Sequence, residues 1–219
     1  MPRESKADKK QRTRTIIRKL RGRYPHARTA LNFSNPLELL VATILAAQCT
    51  DRKVNEVAAE LFKKYRTPED WARVPLDRLE QEVRPTGFYR NKARSIRNAC
   101  AVIAKQHDGK VPDSMEELVK LPGVGRKTAA VVLGNAFGIN EGIPVDTHVD
   151  RVSRRLKLTC RKKGQTDRIE QDLMELVPPK TWTALAHMLT WHGRQTCTAR
   201  KPDCDECILN DVCPSAFKA

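Results

Sequence analysis

Four of the seven cysteines fall near the C-terminus, at Cys197, Cys204, Cys207 and Cys213, with the spacing C-x6-C-x2-C-x5-C. Four thiolates within 17 residues suit a metal better than disulfides if the compartment is reducing. The N-terminus is basic and polar and lacks the apolar core of a secretory signal, so an intracellular, reducing location is expected. Zinc and an iron–sulfur cluster both accept four cysteines, and ligand chemistry alone leaves the two open. Cys49, Cys100 and Cys160 lie in or beside predicted helices, where each is most simply a small apolar packing residue.

A second candidate for chemistry is Lys127, in Leu121-Pro122-Gly123-Val124-Gly125-Arg126-Lys127-Thr128-Ala129. This segment predicts a tight glycine turn between two helices. Glycines tolerate positive φ and let another backbone approach closely. The helix that follows begins with free N–H groups and the positive end of its dipole, an arrangement that can hold a DNA phosphate without reading sequence. Many helix hairpins use Gly-x-Gly, so the motif alone is weak. Lys127 sits in the first helical turn, where the dipole and Arg126 both disfavour an ammonium. A neutral amine is a nucleophile that can form a Schiff base, although most lysines are simply solvated or bind phosphate. Asp146 precedes a predicted helix at 147–157 and has the position of its N-cap.

The elements that must position these groups are helical nearly throughout. Asn35-Pro36-Leu37-Glu38 has the pattern of a cap, Pro at the first position and Glu three residues after the cap, ahead of an apolar run to Ala47. Thr67-Pro68-Glu69-Asp70 opens a helix in the same way. Periodicity predicts helices at 76–83 and 90–106, a short one from Ser114 to Lys120, and further ones at 126–137, 147–157, 166–176 and 179–193. No segment alternates as a strand does. An all-α protein of two helical lobes sharing a cleft is expected.

The chain has 219 residues, 31% charged and 40% hydrophobic, which fits a soluble globular protein with a sizeable core. The longest apolar stretch, Leu39–Ala47, is interrupted by Thr43 and falls far short of the ~18 residues of a membrane span. Forty-one Lys and Arg against 26 Asp and Glu give a net charge of +15, which points to a polyanion: nucleic acid first, an acidic membrane surface second. Net +9 lies in residues 1–28, +4 in 29–139 and +2 in 140–219. Residues 1–12 are expected to be a solvated, disordered arm, with a docked helix from Thr13 carrying Ile16, Ile17 and Leu20. A second basic run, Arg151, Arg154, Arg155, Lys157, Arg161, Lys162 and Lys163, is either a charged helix face or a phosphate contact.

Taken in order, Ala46-Ala47-Gln48-Cys49-Thr50-Asp51, Gly87-Phe88-Tyr89-Arg90-Asn91-Lys92-Ala93, the hairpin through Lys127, Val145-Asp146-Thr147-His148 and the cysteine pattern resemble the endonuclease III family of helix–hairpin–helix DNA glycosylases. The resemblance runs from about Asn35 to Cys213. It implies a [4Fe-4S] cluster on the four cysteines. It implies a base excision repair enzyme that removes oxidised pyrimidines and cleaves 3′ to the abasic site by β-elimination. Lys127 matches the lysine that attacks C1′, and Asp146 the carboxylate that stabilises the developing sugar cation. Gln48 matches a residue that fills the hole left by the flipped nucleotide, a function required because flipping costs a few kcal/mol. Phe88 stands where the best-known members carry an intercalating leucine, a departure that bears on lesion range and opposite-base preference. Gly123, Val124 and Gly125 form the phosphate-binding hairpin, and Arg200 and Lys201 present charge to DNA from the cluster loop. His148 is expected to be structural, and Trp182 and Trp191, in the penultimate helix, core residues beside the cluster.

The resemblance also implies an architecture. Residues 29–139 form a barrel-like six-helix bundle ending in the hairpin. Residues 140–219 form the cluster lobe, joined by a basic arm and helix from 1–28. DNA lies in the cleft, with Lys127 and Asp146 facing each other. The partner is double-stranded DNA with damaged bases or abasic sites, the protein a cytoplasmic, nucleoid-associated monomer without membrane contact. One alternative is a monofunctional adenine-type glycosylase, disfavoured by Lys127 and by a chain ending soon after Cys213. Another is a DNA-binding module without activity, disfavoured by the pairing of Lys127 with Asp146.

Overall fold

The computed structural model of the chain describes residues 4–218, and every regular element among the described residues is helical. The chain divides into two compact units, one continuous from Thr29 to Glu141, the other built from the residues up to Arg28 and those from Gly142 onward.

α1 (Lys6–Arg23) opens the second of these units. It starts seven residues before Thr13, so residues 6–12 are not the solvated arm expected from charge; residues 1–3 of that arm lie outside the described residues. The physical reason is a set of partners that a charge count cannot show. Ser5 caps the helix by accepting from the Asp8 N–H, and Lys6 pairs with Glu175. Arg12 donates to the Leu156 carbonyl at 2.7 Å and pairs with Glu4. Thr13, Ile16 and Leu20 are buried.

The continuous unit contains α2 (Pro36–Leu45), α3 (Asp51–Lys64), α4 (Pro68–Arg73), α5 (Leu76–Val83), α6 (Tyr89–Gln106), α7 (Met115–Leu118) and α8 (Arg126–Val132). Its caps follow the sequence. Asn35 accepts from the Glu38 N–H, and Thr67 and Asp70 form a reciprocal capping box. α7 stops two residues short of Lys120, and α3, which buries Val54, Ala58 and Leu61, answers no signal singled out above. The helix expected to run to Phe137 changes character at Leu133, where a π-helical turn, Leu133–Phe137, ends at Gly138 with φ +71°. Leu39, Leu40, Trp71, Ile96 and Ile103 lie in the core of this unit.

Return to the unit of α1 brings α9 (Thr147–Arg155), α10 (Thr166–Leu176) and α11 (Trp182–Gln195). Ile16 and Leu20 of α1 join Val149, Val152, Ile169 and Leu189 in a separate core. Among the described residues no helix is long and apolar enough to cross a membrane.

Candidate active site

The hairpin is held against α6. Gly123 has φ +78°, and a Cβ there would lie 2.4 Å from Ser95 Cβ, so only glycine fits both the conformation and the approach. Val124 faces inward: its side chain is buried and its N–H bonds the Leu121 carbonyl at 3.0 Å, so it anchors the turn. The exposed part of the hairpin is Gly123, Gly125, Arg126 and Lys127. Gly125 caps α8 without a side-chain bond, and the first helical bond runs from the Ala129 N–H to its carbonyl. The N–H groups of Arg126, Lys127 and Thr128 therefore have no intrahelical acceptor. The Lys127 side chain makes no hydrogen bond or ion pair among the described residues.

Asp146 caps α9 in the other unit. Its Oδ1 accepts from the N–H groups of His148 (2.8 Å) and Val149 (2.7 Å), and its Oδ2 accepts from the Thr190 hydroxyl at 3.2 Å. Both carboxylate oxygens are thus fixed by neutral donors. Burial pushes His148 and His187 below the ordinary histidine range, with Asp146 opposing the shift at each. Thr190 and His187 are functional candidates that the sequence did not disclose. They lie on α11, and only folding brings that helix to the cap.

Gln48 and Phe88 share one depression on the continuous unit, lined also by Ala47, Asn91, Lys92 and Thr128. Both adopt left-handed backbone, with φ +51° and +47°, and Phe88 is 61% exposed. Such a conformation costs on the order of 1 kcal/mol for a residue with a side chain, and Phe88 exposes its ring besides. Strain of that kind persists only where the surrounding structure imposes it.

Cys197, Cys204, Cys207 and Cys213 line a single small cavity with Val152, Arg155, Leu156 and His192. All four are half-buried, and burial raises the Cys207 and Cys213 thiols above their usual range. Among the described residues no three His, Cys, Asp or Glu side chains gather as they would around one ion. Four sulfurs around one shared space are a donor set that fits an iron–sulfur cluster, as it also fits zinc.

Comparison with known proteins gives the family. The family model described as HhH-GPD superfamily base excision DNA repair protein matches residues 41–179, and that of the iron-sulfur binding domain of endonuclease III matches residues 197–213. Endonuclease III of Synechocystis sp. is 50% identical over 96% of this chain and 95% of its own. That of Bacillus subtilis is 48% identical over 89% and 88%. A solved structure described as a trapped endonuclease III–DNA covalent intermediate superposes with a TM-score of 0.90, at 45% identity, over 95% of this chain and 97% of that one.

The chain belongs to the endonuclease III family. The metal left open by ligand chemistry is accordingly an iron–sulfur cluster, and the family's iron–sulfur domain spans the first to the last of the four cysteines.

In this endonuclease III chain the second basic run divides: its four arginines are engaged by the protein itself, while Lys157, Lys162 and Lys163 stand exposed. Arg155 donates to Cys197 Sγ (3.3 Å) and to the carbonyls of Thr198 (2.6 Å) and Ala199 (3.0 Å). Arg151 donates to the carbonyls of Cys197 and Gly193, Arg154 pairs with Asp150, and Arg161 pairs with Asp172. Two arginines of α9 therefore brace the loop after Cys197, and Arg200 and Lys201 stand exposed on that braced loop. His192 completes the surroundings: its Nε2 lies 3.7 Å from Cys207 Sγ and its Nδ1 3.2 Å from the Tyr24 hydroxyl, and burial lowers it to about 4. The tryptophans pack, partly buried, against the same core as Cys197, Cys207 and Cys213, as expected, but not in a penultimate helix. Both belong to α11, the last helix described, and neither lines the cysteine cavity. Trp191 Nε1 donates to the Arg28 carbonyl, Trp182 Nε1 to that of Val177. Cys160 is exposed and so is not a packing residue, whereas Cys100 is buried.

Proposed function

We propose that this base excision repair protein excises oxidised pyrimidines from duplex DNA and then acts as a lyase at the abasic site, with Lys127 as nucleophile. The observation that carries the reading is an exposed amine with no partner among the described residues, at the first turn of the hairpin helix, in a family from which a covalent DNA intermediate has been trapped. The Lys127 amine attacks C1′ and the damaged base departs with the C–N electron pair, taking up a proton. Loss of the amine proton and opening of the sugar give the Schiff base. Removal of a C2′ proton then expels the 3′ phosphate, which breaks the strand.

Asp146 supports these steps as a carboxylate held in place at both oxygens, whose charge stabilises the cationic sugar and assists proton transfer. Gln48 fills the space that the flipped nucleotide vacates, and Phe88 wedges between bases from its exposed corner. Gly123 and Gly125 bring hairpin backbone to a phosphate while Val124 anchors it, and Arg200 and Lys201 add charge from the braced loop. Cys197, Cys204, Cys207 and Cys213 hold the [4Fe-4S] cluster, which supplies the cross-links that shape this short C-terminal segment. The protein works as a monomer on nucleoid DNA in the cytoplasm.

Sodium borohydride reduction in the presence of a duplex carrying one oxidised pyrimidine tests the reading. A covalent adduct is expected for the natural protein and none for Lys127→Ala. A full adduct with Lys127→Ala overturns the mechanism. Release of adenine opposite oxidised guanine without strand cleavage would transfer the protein to the monofunctional class.

A further inference from the structure

Lys92 is a buried lysine for which the chemistry above has no use. It lies on α6 and is 4% exposed. Its Nζ donates to the carbonyls of Leu45 and Thr86, both at 2.7 Å. Each acceptor ends an element. Leu45 is the last residue of α2, and beyond it the chain leaves the helical pattern: the Cys49 N–H reaches Ala46, not Leu45. The Leu45 carbonyl is thereby left to the ammonium. Thr86 closes the 3-10 turn Arg84–Thr86.

Three residues beyond Leu45 is Gln48, and two beyond Thr86 is Phe88, the two left-handed corners. All three side chains line the same depression. One cation thus ties together the roots of two loops that are remote in sequence, immediately before the positions where each loop is strained. The same helix also supports the hairpin, since Ser95, one turn further along α6, is the residue against which Gly123 packs. A lysine needed only to fill space would leave its ammonium in water; this one is aimed inward, with each bond directed at a carbonyl that has lost its helical partner.

We infer that Lys92 is a positioning residue for opening the duplex: its ammonium sets the two corners so that Gln48 and Phe88 are in place before DNA arrives. The inference rests on the wedge and gap-filling roles proposed above. Preorganised corners lower the ordering cost of inserting two side chains into the duplex. The effect belongs to steps that require the helix to be opened and not to chemistry at a sugar already free.

The test uses the full, cluster-loaded chain with Lys92→Met and Lys92→Gln, each compared with the natural protein on two substrates. The first is a duplex with one thymine glycol, read as single-turnover base release, with 2-aminopurine beside the lesion to report unstacking. The second is a single-stranded oligonucleotide with a preformed abasic site, read as borohydride trapping through Lys127. Lys92→Met is expected to slow base release and unstacking at least 10-fold while trapping on the single strand stays within 2-fold. Lys92→Gln, which keeps an N–H donor, is expected to fall between. In a Phe88→Ala background Lys92→Met should cost much less than it does alone. Equal losses on both substrates, no loss on either, or loss of cooperative melting in both variants would each overturn the inference. The last result would make Lys92 a support of the whole bundle. Failure of the natural protein to trap on either substrate would refute the lyase reading instead, and is seen separately.

Discussion

The Thr190 hydroxyl donates to Oδ2 of Asp146 at 3.2 Å, the carboxylate oxygen that the α9 backbone leaves free. Oδ1 is already engaged by two N–H groups at the head of that helix. One oxygen therefore secures the helix while the other is oriented by a side chain from α11. The cap and the reactive carboxylate are the same group, and the two roles can be separated by substitution.

Asp146→Asn keeps an oxygen that can cap α9 and removes the negative charge. Base release is expected to fall by at least 100-fold while the melting temperature changes little. Asp146→Ala should lose the same activity and in addition about 1 kcal/mol of stability, since the cap goes as well. Thr190→Val preserves shape and deletes one donor to the carboxylate; a loss of about 1 kcal/mol in the transition state corresponds to roughly 5-fold in rate. Single-turnover kinetics paired with melting curves check all three. An unchanged rate for Thr190→Val would show that the hydroxyl does not orient Asp146.

Gly123→Ala confronts two obstacles together, a φ of +78° and a Cβ placed 2.4 Å from Ser95 Cβ. The hairpin must shift or α6 must yield. The expected cost is about 2 kcal/mol or more in urea unfolding, with weaker binding to undamaged duplex as the turn moves. Gly125→Ala meets nothing within 4 Å and has φ −91°, so it should be nearly neutral in stability. Equal costs at the two glycines would contradict the close packing of the turn on α6.

Local signals were legible in the sequence and long-range partners were not. Asn35, Thr67 and Asp146 act as caps because the groups that define a cap lie within three residues of each other. The cysteine pattern is local too, since all four fall within 17 residues. Lys92 and Arg155, by contrast, are indistinguishable in a sequence from surface cations, because their acceptors, Leu45 and Thr198, are 47 and 43 residues away. The beginning of α1 was hidden likewise: Arg12 finds Leu156 only in the fold. Thr190 and His187 had no local mark at all.

The cysteines outside the cluster should differ sharply in reactivity. Burial pushes the Cys100 thiol up to about 12, so at pH 8 it is neutral as well as inaccessible. Cys160 is exposed. Iodoacetamide applied to the native, cluster-loaded protein should label Cys160 first and leave Cys100 untouched until urea unfolds the chain, as read by peptide mass spectrometry. Prompt labelling of Cys100 would mean that α6 opens far more readily than its packing implies.

The cations of α1 are of two kinds, and DNA binding should tell them apart. Arg12 is tied to Glu4 and the Leu156 carbonyl, Lys6 to Glu175 and Lys19 to Asp211. Arg14, Arg18 and Arg21 are exposed and have no ion pair among the described residues. Their spacing of four and three places them on one face of the helix. Replacing these three with glutamine should leave melting unchanged and reduce the slope of log K against log salt for undamaged duplex by up to about 0.9 per lost phosphate contact. Arg12→Ala should do the opposite, lowering the melting temperature with little change in slope. Truncation of residues 1–12 would mix the two effects, because it removes the first turns of a packed helix along with the charge. If the triple glutamine variant keeps the full salt slope, the phosphate contacts lie elsewhere and the basic face of α1 serves only solubility.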